Sequence, residues 1–140
     1  MYNVATALGG KKKIGAGVRA DDYNEVIKKG IPVEAGNFFK QLLHLTDKEF
    51  AKALGISERS FHRKKGMERL PVNASDRLYR FARIFSFAVD VLGSEDKARQ
   101  WLHTPHFSLE QKTPLEMLKT DAGAKEVDDI LGRIKYGMSL

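Results

Sequence analysis

Two short helices joined by a tight turn are predicted for residues 46–65, and this segment constrains the fold more than any other. Thr46 and Glu49 have the spacing of a capping box, which defines where the first helix begins. Gly55 ends that helix, because glycine adopts a positive φ at little cost. Ser57 then caps the second helix by accepting a backbone hydrogen bond in its first turn. The segment therefore predicts a helical hairpin with well-defined ends.

The second helix of this hairpin has one apolar residue, Phe61, which is expected to pack against the first helix. Its other side chains point outward, and most are basic or hydroxylated. A helix-turn-helix presents such a helix to the major groove of DNA, where these side chains contact bases and phosphates. From this segment alone, an ordinary helical hairpin with a solvated basic face remains the alternative. The residues predicted to bind DNA are Ser57, Arg59, Ser60, Arg63, Lys64 and Lys65.

Positive charge is concentrated in the first two thirds of the 140-residue chain, which has a formal net charge of +6. Residues 1–45 contain 7 basic and 4 acidic residues, and residues 46–92 contain 10 basic and 6 acidic residues. Residues 93–140 contain 7 basic and 8 acidic residues. A polyanion such as a nucleic acid is therefore attracted to the region around the hairpin, whereas the last third has no electrostatic reason to approach it. This asymmetry predicts two functions in one chain.

The composition excludes several classes of protein. The chain has no cysteine, which excludes disulfides and thiolate chemistry and fits a reducing compartment. No apolar run is long enough to cross a bilayer, and the basic residues 11–13 are not followed by the apolar region of a secretory signal. The sequence therefore predicts a cytoplasmic protein without membrane association.

An all-α fold is predicted, with a helix-turn-helix bundle followed by a small helical module. The expected divisions are a flexible N-terminal segment at 1–20, a helical DNA-binding domain at 21–92 and a C-terminal module at 93–140. In the N-terminal segment, one helical turn is possible near Val4, and residues 9–13 are expected to form a mobile loop.

Helical spacing of apolar residues predicts the core of the DNA-binding domain. A helix at 32–43 is expected to bury Ala35, Phe38, Phe39, Leu42 and Leu43. A long helix at 74–92 is apolar almost all round in its second half, which indicates either the centre of the bundle or packing on a second subunit. A homodimer satisfies both readings. Arg77, Arg80 and Arg83 recur along this helix and either reach DNA phosphates or form local ion pairs.

The C-terminal module is predicted to contain three small helices. Ser94 caps the first of them, which Pro105 closes. Residues 106–112 are expected to be extended. Thr113 then begins a short helix as part of a capping box with proline at the first helical position. This helix is expected to break at 120–123, before a last helix with one apolar face.

No pattern in the chain supports an enzyme. His103 and His106 are separated by Pro105 and are not expected to share a helical face, so a zinc site is not supported. There is no nucleophile-elbow serine. We therefore predict no catalytic residue, no metal and no cofactor. A purely architectural DNA binder is a further alternative, which the acidic C-terminal third disfavours.

Three motifs in the last third carry a family resemblance. They are Trp101-Leu102-His103-Thr104-Pro105, Thr113-Pro114-Leu115-Glu116-Met117-Leu118 and a terminal Tyr136-Gly137. Together they resemble the C-terminal toxin-binding domain of Xre-type bacterial antitoxins, a group that includes mycobacterial and ParS-like antitoxins. The hairpin at 46–65 resembles the helix-turn-helix of the same family. One departure is the segment 110–112, where the family usually has a glycine before its Thr-Pro pair.

The resemblance implies a specific partner and mechanism. The partner is expected to be a RES-domain toxin encoded beside this gene, which consumes NAD⁺ or modifies a cellular protein with ADP-ribose. The C-terminal module is expected to cover the entrance of the toxin's active site, and the helix-turn-helix is expected to repress the operon from its own promoter. A homodimer within a larger toxin–antitoxin complex is expected. The alternative is a stand-alone helix-turn-helix regulator without a toxin.

The C-terminal tail is the predicted toxin contact. A protein inhibitor must desolvate a patch of its target, and aromatic, methionine and leucine side chains do this best. Trp101 is expected to support the module by core packing, and Gly137 either allows close backbone approach or ends the last helix. The residues predicted to bind the toxin are Tyr136, Gly137, Met138, Ser139 and Leu140.

Overall fold

The computed structural model describes residues 2–14 and 23–137, which form helices joined by turns and contain no strand. The predicted all-α fold is confirmed. The elements are α1 (Val4–Ala7), α2 (Lys11–Ile14), α3 (Tyr23–Lys29), α4 (Val33–Leu42), α5 (Asp47–Leu54), α6 (Glu58–Arg63), α7 (Val72–Leu92), α8 (Glu95–Leu102), a 3₁₀ helix (Phe107–Leu109), α9 (Pro114–Met117) and α10 (Asp121–Lys135).

The chain forms two compact units. The N-terminal unit is Asn3–Ala82, and the C-terminal unit is Arg83–Leu140 together with Met1–Tyr2. The long helix α7 runs through the division between them. The domain limits 1–20, 21–92 and 93–140 stay predictions. No helix in the described residues is long and apolar enough to cross a membrane.

The start of the N-terminal unit contains more helix than predicted. Asn3 caps α1, and a second short helix, α2, occupies residues that were expected to form a mobile loop. Both helices contact α4 and bury Leu8 and Ile14. The prediction of a loop is therefore wrong at residues 11–13, which are helical, and holds at residues 9 and 10. Burial of Leu8 and Ile14 stabilises the short helices.

The buried face of α4 differs in part from the predicted one. Phe38 was expected in the core, but its side chain is 37% exposed. Gly36 is buried instead, and a Cβ at this glycine would lie 3.5 Å from the side chains of Leu70 and Phe50. The buried face of α4 therefore includes Gly36 and the fully buried Phe39, and Phe38 lies at the edge of that face.

The C-terminal unit differs from the prediction at two connections. The segment 106–112 is not extended but forms the 3₁₀ helix and a tight loop. Two backbone hydrogen bonds close this loop: His106 N–H donates to Lys112 O, and Gln111 N–H donates to His106 O. The expected break at 120–123 is limited to its first residue. Thr120 caps α10 by accepting a hydrogen bond from Gly123 N–H at 3.0 Å, and so residues 121–123 are helical.

Tyr2 belongs to the C-terminal unit although it lies at the other end of the chain. Its hydroxyl donates a 2.7 Å hydrogen bond to Glu95 Oε2, and its ring meets that of Phe85 edge-on at 5.8 Å. Burial and the neighbouring Glu95 carboxylate raise the pKa of Tyr2 well above its ordinary value. The phenol is therefore neutral and available as a donor at physiological pH.

Replacing Gln111 by glycine is expected to stabilise the C-terminal unit by about 0.5–1 kcal/mol. Gln111 has φ 64°, a left-handed conformation that costs a residue with a Cβ about 1–2 kcal/mol and that glycine adopts freely. Part of this gain is offset by the larger backbone entropy of glycine in the unfolded chain. Chemical denaturation of both proteins measures the difference.

Lys112→Gly is the matched control, because Lys112 is not among the described non-glycine residues with positive φ. Glycine should therefore destabilise the unit there by about 0.5–1 kcal/mol. A Gln111→Gly variant that is no more stable than the natural chain would contradict the strain argument.

Candidate functional site

The helix-turn-helix begins with a complete capping box. Glu49 N–H donates to the Thr46 hydroxyl at 3.1 Å, and Thr46 N–H donates to Glu49 Oε1 at 2.9 Å. At the other end of α5, Gly55 takes φ 74° and turns the chain toward α6. Both predicted ends of the first helix are confirmed, and they set the direction in which the second helix leaves.

The second helix of the hairpin, α6, is held by its cap and by one aromatic contact. Ser57 Oγ accepts a hydrogen bond from Ser60 N–H at 3.0 Å and donates to Ser60 Oγ at 2.9 Å. Phe61 is buried, and its ring centroid lies 5.5 Å from that of Phe50 on α5. The predicted hairpin is therefore confirmed, and its aromatic contact orients α6 about its own axis.

The outer face of α6 carries the basic side chains expected to read DNA. Arg59 and Arg63 are exposed and lie one turn apart, so they point to the same side. Lys65 is exposed as well, whereas Ser60 and Lys64 are half-buried. Since the Ser57 hydroxyl is engaged in the cap, we expect the two arginines to supply most of the DNA contacts.

A polar cluster that the sequence analysis did not predict connects three helices of the hairpin region. Asp47, at the start of α5, pairs with Lys40 of α4 and lies 2.7 Å from His62 Nε2 of α6. Hydrogen bonds from Lys40 and from the His62 ring hold the pKa of the Asp47 carboxyl below its ordinary value. This cluster links the outer helix to the rest of the unit. Lys40 and His62 are 7 and 15 residues from Asp47 in the sequence. No local sequence pattern indicates such contacts.

The arginines of α7 mainly make contacts within the protein. Arg83 forms a bidentate pair with Asp128, with N–O distances of 2.7 and 3.2 Å. Arg80 Nη2 lies 3.9 Å from Asp76. Arg77 lies against the turn of the helix-turn-helix, where a Cβ at Gly55 would meet its guanidinium. The reading as a local ion pair therefore holds for Arg80, whereas the partner of Arg83 lies 45 residues away in the sequence.

The C-terminal unit is organised by the helix starts that the sequence predicted. Ser94 and Thr113 cap α8 and α9, and Pro114 occupies the first turn of α9. Trp101 is half-buried, with its ring centroid 5.1 Å from that of His106, whose Nε2 lies 3.1 Å from the Trp101 carbonyl oxygen. Trp101 thus contributes to the module at its edge rather than in its centre.

The structure describes only the first two residues of the predicted toxin contact, Tyr136 and Gly137. Tyr136 follows α10 as its C-cap residue and is 72% exposed. Gly137 has φ 68°, and no described atom lies within 4 Å of a Cβ built on it. Its left-handed φ directly after the C-cap residue fits the end of a helix, and close backbone approach of a partner stays a prediction. Met138, Ser139 and Leu140 lie outside the described residues.

A helix-turn-helix unit and a separate helical binding unit define a class of two-part regulators, and comparison with known proteins gives the family. Residues 22–83 match the Antitoxin Xre-like helix-turn-helix domain. Residues 87–137 match the Antitoxin Xre/MbcA/ParS C-terminal toxin-binding domain. The chain belongs to the Xre antitoxin family. It is therefore an antitoxin with a helix-turn-helix domain and a toxin-binding domain.

Curated relatives agree with this assignment. The chain is 32% identical over 117 residues to Antitoxin Xre of Photorhabdus laumondii, covering 82% of this chain and 79% of the relative. It is 33% identical over 114 residues to Antitoxin Xre of Yersinia enterocolitica, covering 80% and 77%. It is 39% identical over 71 residues to Antitoxin Xre of Pseudomonas putida, covering 51% and 45%.

Proposed function

We propose that this chain neutralises a RES-domain toxin that consumes NAD⁺, and that it represses its own operon through the helix-turn-helix. The observation that carries the proposal is the presence of both family domains in one chain, at residues 22–83 and 87–137. A toxin-binding domain implies a toxin as partner, and a helix-turn-helix implies binding to DNA. The protein acts in the cytoplasm, as a homodimer within the toxin complex.

Neutralisation occurs by direct binding, and the tail at 136–140 covers the entrance of the toxin's active site. The exposed Tyr136 ring supports this role, because an aromatic side chain gains the free energy of burial only when a partner covers it. Tyr136 follows directly on Lys135, the last residue of α10, so its backbone is held at the end of a rigid element. A ring held there loses less conformational entropy on entering a cleft than one on a flexible segment.

Repression uses the outer face of α6. Arg59 and Arg63 would contact base edges, while Lys64 and Lys65 would contact phosphates. Ser57 and Ser60 take part chiefly by fixing the start of the helix, as their mutual hydrogen bonds indicate. The net positive charge of residues 46–92 supports this face as the one that meets DNA.

Deleting residues 136–140 is expected to weaken binding of the toxin encoded by the adjacent gene by at least tenfold and to reduce rescue of growth on co-expression. Loss of two or more buried anchors has an effect of this size in other protein interfaces. The deletion begins after α10 and should leave the helix-turn-helix unit able to shift promoter DNA. Calorimetry of the purified pair, with a growth assay, measures the effect.

Lys97→Ala is the control, since Lys97 is exposed on α8 of the same unit and is not part of the tail. Full rescue and unchanged affinity in the truncated chain would overturn the role given to the tail. If the natural chain binds promoter DNA but no toxin, it is a stand-alone helix-turn-helix regulator.

A further inference from the structure

Phe107 is the most exposed of the large hydrophobic side chains in the described residues, with 89% of its surface accessible. It lies in the loop between α8 and α9, within the matched toxin-binding domain. At this exposure, burial of the Phe107 ring contributes almost no free energy to the fold of its own chain. Burial of its ring by a partner would remove about 150–250 Å² of surface from water, as for aromatic anchors in general.

The backbone of the loop that carries Phe107 is fixed by a buried side chain and by hydrogen bonds within the loop. Leu109, two residues further on, is buried, and its N–H donates to His106 O at 3.0 Å. The N–H of Glu110 donates to Phe107 O at 3.1 Å. The left-handed conformations of Glu110 and Gln111 then return the chain toward His106. An exposed aromatic on a closed loop is pre-organised for binding, because little conformational entropy remains to be lost.

The loop adjoins one face of α10. Ser108 and Leu109 line a groove of about 260 Å³ whose other wall is formed by Glu126, Asp129, Ile130 and Arg133. A second groove, of about 280 Å³, is also lined by Ser108, Leu109 and Glu126, together with Glu110, Lys112 and Met117. Phe107 directly precedes Ser108 in the chain and therefore lies next to both grooves.

The same face of α10 leads to Tyr136, the C-cap residue of this helix. Residues 126, 129, 133 and 136 are three or four positions apart, so they share one side of the helix. At 1.5 Å per residue, Tyr136 lies roughly 9 Å along the axis from Ile130 in the groove. A standard protein interface covers about 800 Å² on each partner, a patch about 30 Å across. One partner can therefore cover both the groove and Tyr136.

We propose that Phe107 is a second anchor for the toxin, seated in an apolar pocket on the toxin surface beside the cleft that receives the tail. The inference rests on the proposed function, because it assigns the occupant of this patch from its continuity with Tyr136. The patch formed by Phe107, the α10 groove and Tyr136 holds the toxin at two separated points. Two anchors fix the orientation of the antitoxin on its target, which the tail alone does not.

Replacing Phe107 by alanine is expected to weaken binding of the purified toxin by at least tenfold, as truncation of an aromatic anchor does elsewhere. Phe107→Leu should retain affinity within a few-fold, since it keeps most of the apolar surface. Phe107→Asp should bind more weakly than Phe107→Ala. Thermal unfolding of all three should match the natural chain, because the side chain makes little contact with its own fold.

Met67→Ala is the control, because Met67 is a 45% exposed hydrophobic residue of the N-terminal unit. Unchanged toxin affinity in Phe107→Ala, with the natural chain binding normally, would overturn this inference and leave the proposed function standing. Failure of the natural chain to bind the toxin would overturn both. A Phe107→Ala variant that loses self-association in sedimentation but keeps toxin affinity would show that a second copy of this chain covers the patch, and would also overturn the inference.

Discussion

Replacing Gly123 by alanine is expected to lower the free energy of unfolding of the C-terminal unit by about 3 kcal/mol, the upper end of the usual cost of overpacking. A Cβ at Gly123 would lie 1.9 Å from the carbonyl oxygen of Met117 and 2.9 Å from its carbonyl carbon. Both are backbone atoms at the end of α9, so no side-chain rotation relieves the clash. Either α9 or the start of α10 must move, and the cap at Thr120 would be disturbed.

Gly132→Ala is the matched control on the same helix. No described atom lies within 4 Å of a Cβ at Gly132, and alanine is the better helix former, so this change should stabilise the unit by about 0.5–1 kcal/mol. Urea denaturation of the natural chain and both variants gives the comparison. Equal destabilisation by the two substitutions would show that the close approach at Gly123 does not limit the packing of α9 on α10.

The parts of the fold that the sequence predicts correctly are those set by interactions within about four residues. Thr46, Ser57, Ser94 and Thr113 each cap the helix that was expected to follow them. A capping side chain reaches a backbone N–H two or three residues ahead, so residue type and spacing are sufficient to identify it. The same holds for Gly55, where the turn of the hairpin requires a positive φ.

The parts that the sequence does not predict depend on contacts between distant residues. Glu110 and Gln111 adopt left-handed conformations without being glycine, because hydrogen bonds to His106 close the loop around them. The pairing of Asp47 with Lys40 and His62 requires three helices to be in place. Neither arrangement has a signature in residue type or periodicity.

The binding sites show the same difference between features set by local spacing and features set by the folded structure. Side chains expected to face outward on α6 are identified from helical spacing, once Phe61 is assigned to the inside. Phe107 has no such signal, since hydrophobic character in a sequence predicts burial and this residue is exposed. An exposed anchor becomes visible only when the structure shows which apolar side chains the fold leaves uncovered.

Replacing both Arg59 and Arg63 by alanine is expected to abolish the shift of promoter DNA while toxin binding stays intact. Each direct contact of an arginine with a base edge contributes about 1–3 kcal/mol of discrimination, so loss of two corresponds to a decrease in affinity of about 30-fold or more. Both side chains are exposed on α6, and truncation should not alter the fold. Gel-shift titration with the natural promoter and with an unrelated duplex separates specific from general binding.

Lys48→Ala with Lys52→Ala is the matched control, because it removes two exposed positive charges from α5 of the same unit without changing α6. Charge loss alone weakens binding to both duplexes equally and lowers the salt dependence of affinity where phosphate contacts are lost. The arginine pair should instead weaken promoter binding more than binding to the unrelated duplex. If both pairs of substitutions have the same effect on both duplexes, α6 does not read base sequence, and the positive charge of this unit serves only to attract DNA.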